Sequence, residues 1–221
     1  MKLLIEALTK FFCGLLMVGL LIFLPAGTVG YPYGWLLVGL LFGPMLIAGF
    51  VMLGRSPEFL KKRLDAKEKQ GTQKGVVAFS GLMFIAGFVV AGLDFRFGWS
   101  NMPLWVVVTA SILFLISYAL YAEVMRENAY LSRTVKVEEG QTVVDTGLYG
   151  IVRHPMYAVT ILLFLMIPLV LGSWYALTVF AFYPAIIVIR LKDEEELLTK
   201  ELAGYAEYKQ KVKYRIIPFI W

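Results

Sequence analysis

The sequence predicts an all-α integral membrane protein with about six transmembrane helices, and five at the least. Three observations carry this expectation. The chain is 59% hydrophobic with a mean hydropathy of +0.73, above the apolar share of ordinary soluble domains. Its apolar residues gather into runs rather than spreading along the chain. Its charges fall in the connections between those runs.

The runs are Phe11 to Pro25, Trp35 to Leu53, Val76 to Leu93, Met102 to Ala122, Met156 to Leu171 and Trp174 to Ile189. A helix needs ~20 apolar residues to cross a bilayer, with ~17 as a practical lower bound. Four runs meet that easily, whereas those starting at Phe11 and Met156 are short and leave full crossing open. A secretory signal is excluded for the first run: no small-residue cleavage site leads into a soluble domain, and more apolar runs follow.

Between the second and third runs, Arg55 to Lys74 carries seven Lys/Arg against three Asp/Glu. The positive-inside rule puts this segment in the cytoplasm. Gly27 to Gly34 is uncharged, and Asp94 to Asn101 has one charge of each sign, so both fit the outer side. Lys2 and Lys10 place the N-terminus inside. The loop Glu123 to His154 and everything from Arg190 onward then share the cytoplasmic face. The net charge of +5 reads as orientation signal, not as a nucleic-acid surface.

Two parts are expected. Residues 1–75 form a transmembrane hairpin with a basic loop, and residues 76–221 form a membrane-embedded core with a cytoplasmic tail. In the hairpin, Gly14, Gly19, Gly39, Gly43 and Gly49 are expected to let helices approach closely, and Pro44 to kink the second helix. After the fourth run, Val135-Lys136-Val137 and Thr142-Val143-Val144-Asp145 alternate around Glu138-Glu139-Gly140, suggesting a short extended excursion. The one cysteine, Cys13, sits in an apolar run. With one histidine besides, soft ligands are too few for a zinc, haem or iron–sulfur site, and no metal site is assigned.

That histidine lies in Gly147-Leu148-Tyr149-Gly150-Ile151-Val152-Arg153-His154-Pro155-Met156-Tyr157. Pro155 suits the first position of a helix, where its missing N–H costs nothing. Arg153 and His154 then stand at a helix N-terminus, which favours an anion over a cation. The arginine makes sense there if a carboxylate or phosphate lies between it and the helix start. Tyr149 and Tyr157 can flank the same place. Spacing leaves two readings open: a pocket, or interfacial anchors on lipid phosphates with an aromatic belt.

The last run ends in Arg190-Leu191-Lys192-Asp193-Glu194-Glu195-Glu196. Four consecutive acids beside an anionic membrane surface are unusual, and a cationic ligand would account for them. Arg190 and Glu194 can pair as i and i+4. Beyond them, Gly204 to Tyr208 and Val212 to Pro218 form an aromatic, amphipathic tail, either a helix at the lipid interface or a lid folded over a pocket.

Thr146-Gly147-Leu148-Tyr149 followed by Val152-Arg153-His154-Pro155-Met156-Tyr157, then Glu194-Glu195 with Leu198, then Tyr205 with Tyr208, resembles the isoprenylcysteine carboxyl methyltransferase family. The phospholipid N-methyltransferases share the general plan more distantly. The similarity covers roughly Thr142 to Pro218. It implies an integral-membrane methyltransferase using S-adenosylmethionine in a cytoplasmic pocket built by the C-terminal half. By this resemblance Tyr149, His154 and Tyr157 contact the cofactor, Glu194 and Glu195 bind it from the other side, Arg153 holds the acceptor's carboxylate, and Tyr205 and Tyr208 close the pocket. The implied acceptor is a lipophilic or lipidated carboxylate met at the membrane. The glycine pair of the phospholipid methyltransferases has no clear counterpart here, and the Arg215 region is closer to the bacterial members. Both leave the acceptor open between a prenylated cysteine, another lipid-like carboxylate, and a small apolar thiol or amine, the last as in a phospholipid or amine N-methyltransferase.

Two rivals stand beside this reading. A sterol-reductase-type membrane enzyme using NADPH also carries an Arg-His-Pro-x-Tyr run, but Glu194 and Glu195 would repel its phosphates. A non-enzymatic lipid- or partner-binding protein would not need the acids and the Arg153–His154 pair to converge.

Overall fold

The computed structural model describes residues 2–64, 71–131 and 137–221. Among them every regular element is helical: α1 (Lys2–Ala26), α2 (Pro32–Arg55), α3 (Pro57–Leu64), α4 (Gly71–Phe97), α5 (Leu104–Glu127), a 3-10 turn (Gly147–Gly150), α6 (Pro155–Val170), α7 (Trp174–Phe180), α8 (Tyr183–Glu201) and α9 (Tyr205–Lys211).

Five segments are long and apolar enough to cross a membrane: Lys2–Ala26, Pro32–Arg55, Gln73–Phe97, Leu104–Glu127 and the α7–α8 pair, Trp174–Glu201. The first is longer than its apolar run because the helix continues back to Lys2, giving 25 residues, or roughly 37 Å at 1.5 Å per residue. Helix α6 has 16 residues, roughly 24 Å, short of the ~30 Å hydrocarbon layer. This is the architecture of a multi-pass helical membrane protein. Large apolar side chains remain exposed around the outside, among them Phe12, Trp35, Ile47, Leu82, Trp105 and Ile112. On a water-soluble domain such a surface would aggregate; in hydrocarbon it is the solvated face.

Helix α1 packs along α4, and α5 along α6. One apolar core runs through them, with Ile22, Leu37, Ala91, Phe114, Ile167 and Phe180 all but fully buried. The glycines expected to permit close packing do not lie at the contacts. A Cβ added at Gly19, Gly39, Gly43 or Gly49 would meet nothing within 4 Å, and one at Gly14 only an ordinary contact at 3.8 Å. Within α4, close approaches to other helices occur at Gly87 and Gly92. There a Cβ would come within 2.4 Å of the Phe180 ring and 2.5 Å of the Ile22 carbonyl oxygen. Counting glycines in the hairpin could not reveal which face of a helix they occupy.

At one end of the bundle the buried Asp94 carboxylate accepts from the Ser100 backbone N–H at 2.7 Å and the Ser100 hydroxyl at 2.6 Å. It also accepts from the Ser173 hydroxyl. One carboxylate thus ties the end of α4 to the α4–α5 and α6–α7 connections. The candidate site lies at the other end of α6 and α8.

The alternating segment before the 3-10 turn runs without β-pairing among the described residues, and Val135 and Lys136 lie outside them. Val137 and Val143 pack instead against the cluster of Leu202, Tyr205, Tyr208 and Val212. The alternation marks a half-buried strap rather than a hairpin.

Candidate functional site

The site is built where the 3-10 turn, the start of α6, the latter half of α8 and the tail meet. Gly147 sets the turn. Its φ is +51°, and a Cβ there would overlap the Glu127 carboxylate, 1.4 Å from Oε1. The same carboxylate accepts from the Leu148 backbone N–H at 2.9 Å. Glycine is needed twice over, for a left-handed backbone and for the space that Glu127 occupies. The turn then delivers the buried Tyr149 side chain to the cavity wall.

Helix α6 begins at Pro155, with His154 as its N-cap residue. The anion suited to this position is the protein's own Glu195. Its Oε1 lies 2.7 Å from Arg153 Nε and 3.3 Å from His154 Nε2, and its Oε2 accepts from Arg215 Nε at 2.9 Å. Arg153 Nη1 donates to the Val212 carbonyl at 2.7 Å and the Lys213 carbonyl at 2.8 Å. The backbone N–H groups of Arg153 and His154 donate to the carbonyls of Tyr214 (2.9 Å) and Arg215 (2.8 Å). The Arg215 guanidinium in turn sits 5.2 Å from the centre of the Trp221 ring. Arg153, His154 and Glu195 are all buried, a setting that tolerates charge only when it is paired and hydrogen-bonded. The tail is therefore fastened to the helix start by a charged knot.

A cavity of about 90 Å³ opens in front of this knot. Tyr149, Arg153, His154, Tyr157, Glu194, Tyr205 and Tyr208, all expected from the sequence, border it together. Glu195, expected beside Glu194, does not border it; successive helical residues point ~100° apart, and Glu195 turns back into the knot. Arg153 touches the cavity, but its hydrogen bonds run to Glu195 and to tail carbonyls rather than into open space.

The cavity wall also holds Arg190, which the sequence suggested only as a partner for Glu194 on one helix face. The two converge on a third side chain. Arg190 Nε donates to the Tyr157 hydroxyl at 3.1 Å, and that hydroxyl donates to Glu194 Oε2. A guanidinium, a phenol and a carboxylate thus make one hydrogen-bonded wall. Apolar side chains from Leu131, Val144, Met156 and Leu202 line much of the rest.

The tail is a lid. Tyr205 and Tyr208 of α9 are buried over the cavity, and the Tyr208 hydroxyl donates to the Tyr149 carbonyl at 2.7 Å. Tyr205 reaches to 3.5 Å from His154 Nε2. Outside, Lys211 pairs with Asp145 at 2.6 Å. Burial pushes the phenols of Tyr149, Tyr205 and Tyr208 above their usual range, so they present neutral O–H groups at physiological pH. The cavity is smaller than the ~300–1,000 Å³ of ordinary small-molecule sites.

Residues 105–200 match the isoprenylcysteine carboxyl methyltransferase (ICMT) family. The chain is 32% identical over 91 residues to the Delta(14)-sterol reductase TM7SF2 of Mus musculus, an overlap covering 40% of this chain and 22% of that protein. It is 27% identical over 95 residues to the uncharacterized protein YpbQ of Bacillus subtilis (strain 168), covering 42% of this chain and 56% of the relative. The overlap thus spans a fifth of one curated relative's length and little over half of the other's.

Proposed function

We propose, from the match of residues 105–200 to the isoprenylcysteine carboxyl methyltransferase family and from the pocket, that the protein is a membrane methyltransferase. In this reading it transfers the methyl group of S-adenosylmethionine to the carboxylate of a lipophilic acceptor. The observation that carries the reading is the wall of Arg190, Tyr157 and Glu194 facing a lid of tyrosines. The pocket opens to the cytosol, on the side to which the basic loop from Arg55 to Lys74 is drawn.

The residues present suit the cofactor. Glu194 offers a carboxylate for an ammonium or for ribose hydroxyls, and the tyrosines offer neutral hydroxyls and aromatic faces. When bound, S-adenosylmethionine supplies an electrophilic methyl carbon; the acceptor's carboxylate oxygen bonds to it as the carbon–sulfur bond breaks and the electron pair stays on sulfur. A carboxylate is already a nucleophile at neutral pH, so no general base is required. What remains for the protein is positioning and exclusion of water. Arg190, on the cavity wall beside Tyr157 and Glu194, is the cation we assign to the acceptor's carboxylate, whereas Arg153 belongs to the knot with Glu195 and the tail carbonyls. Tyr205 and Tyr208 close over the reactants.

Calorimetric titration of the detergent-purified protein with S-adenosylhomocysteine, beside transfer of labelled methyl to an S-farnesylated cysteine derivative, tests this. Glu194→Gln should weaken cofactor binding by about 10-fold or more, the loss of one charged hydrogen bond of about 1.5–3 kcal/mol. Absence of binding by the unaltered protein would sink the reading.

A second reading, a reductase acting on a lipid-like substrate, is favoured by the partial match to the sterol reductase. The acidic Glu194 on the wall disfavours a phosphate-rich nicotinamide dinucleotide. Tight NADPH binding without S-adenosylhomocysteine binding would reverse the order of the two.

A further inference from the structure

We propose that Gln73, from the part of the chain that precedes the residues matching the ICMT family, is a positioning residue that aims Arg190 at the methyl acceptor. The inference rests on the methyltransferase reading and names a residue that this reading does not supply.

Gln73 stands in the first turns of α4 and is fully buried. A buried amide is costly unless both its ends are satisfied, and here α8 satisfies both. Gln73 Oε1 accepts from Arg190 Nη1 at 3.0 Å, while Gln73 Nε2 donates to Asp193 Oδ2 at 3.1 Å. Neither contact can be reversed: a guanidinium only donates and an ionised carboxylate only accepts. The amide therefore has one orientation, fixed by Asp193, and presents its oxygen to Arg190.

The consequence reaches the cavity. Asp193, Gln73, Arg190, Tyr157 and Glu194 form one continuous chain of hydrogen bonds. Arg190 is half-buried, and two edges of its planar fork are gripped, Nη1 by Gln73 and Nε by Tyr157. A planar fork held at two edges has its plane and direction set, which a flexible arginine on a lone helix would lack. Were Gln73 only a buried amide satisfying itself, its removal would lower stability alone. Were it a positioning residue, its removal would shift the handling of the acceptor far more than that of the cofactor, because Arg190 and Tyr157 stand between Gln73 and the Glu194 carboxylate assigned to the cofactor.

The test uses the full chain in detergent with two substitutions. Gln73→Met keeps the length and removes both hydrogen bonds; Gln73→Glu keeps an acceptor for Arg190 but sets a second carboxylate against Asp193. Methyl transfer to an S-farnesylated cysteine derivative gives KM and kcat, and titration with S-adenosylhomocysteine gives the cofactor Kd. Gln73→Met should raise the acceptor KM about 10-fold or more with the cofactor Kd changed less than about 2-fold, the size expected when the charged hydrogen bond that orients Arg190 is lost. Gln73→Glu should raise KM likewise, and adding Asp193→Asn, whose amide can donate to the new carboxylate, should recover part of it. Should the methionine variant fail to fold, the glutamate variant and its rescue decide. Unchanged acceptor KM in folded variants, or equal losses in acceptor and cofactor affinity, would overturn the inference while leaving the methyltransferase reading intact. An unaltered chain that neither binds S-adenosylhomocysteine nor transfers methyl would overturn both.

Discussion

Glu195 Oε1 lies 2.7 Å from Arg153 Nε, across 42 positions of sequence, and both side chains are buried. The contact holds the start of α6 against α8, and through the Arg153 guanidinium it also holds the tail. Removing one member of such a pair strands the other's charge in a poorly solvated place, which costs about 3–5 kcal/mol. Arg215 is a third exposed on its side chain, which tempers the loss. Glu195→Gln should therefore destabilise the fold by about 3 kcal/mol and expose the tail to protease. Thermal unfolding in detergent and limited proteolysis, compared with Glu194→Gln, check this. Equal stability of the two variants would contradict the knot.

Gly147→Ala should be among the most damaging small substitutions in the chain. The added Cβ would fall on the Glu127 carboxylate, at a φ of +51° that suits glycine. Strain of this kind costs about 1–3 kcal/mol before the clash is counted. Loss of cofactor binding is expected with it, since the turn carries Tyr149. Glu127→Ala added to it should recover only part, because the backbone strain stays. Full recovery in the double variant would show that the clash alone mattered.

The fold was largely legible because a bilayer imposes its thickness on the chain, and that demand is written as run length. The extra turns of α1 before Phe11 were not, because Lys2, Glu6 and Lys10 break the apolar run without breaking the helix. The site motif was legible from Tyr149 to Tyr157, where five cavity residues, Tyr149, Arg153, His154, Met156 and Tyr157, are nearly contiguous. Glu194 and Glu195 look equivalent in sequence, but rotation about α8 sends one to the cavity and the other to the knot. Gln73 was invisible: an amide near the end of a basic stretch has no periodicity, and its meaning lies in two contacts 117 and 120 positions away. The packing glycines failed for the same reason, since a glycine count carries no facing.

Tyr208→Phe should loosen the lid without unfolding the bundle. It removes the hydrogen bond to the Tyr149 carbonyl, worth about 1 kcal/mol, and keeps the ring's packing with Tyr205. A rise of about 5-fold in the release rate of S-adenosylhomocysteine is expected by stopped-flow displacement, with thermal stability nearly unchanged. A release rate equal to that of the unaltered protein would mean that α9 does not gate the cavity.

The lid should respond to pH at the alkaline end. Burial raises the phenols of Tyr149, Tyr205 and Tyr208 above the ordinary value of about 10. A group whose folded pKa is raised gives its full stability below the unfolded pKa and loses it as pH climbs from there toward the folded value. Below about pH 10 both lid states keep their protons, and the closed state holds its full advantage. Above it the opened lid sheds protons first, so closure is lost progressively. On the acid side, Asp145 is held below its usual range by its hydrogen bond to Lys211; that contribution is present above the ordinary aspartate value and fades as pH falls through the lowered one. Lid closure should therefore be flat across neutral pH. Phenolate absorbance at 295 nm, followed beside protease access to the tail, should show these tyrosines ionising late and together with opening. Titration near pH 10 with the tail still protected would place the three phenols in solvent and remove the lid's role in closing the site.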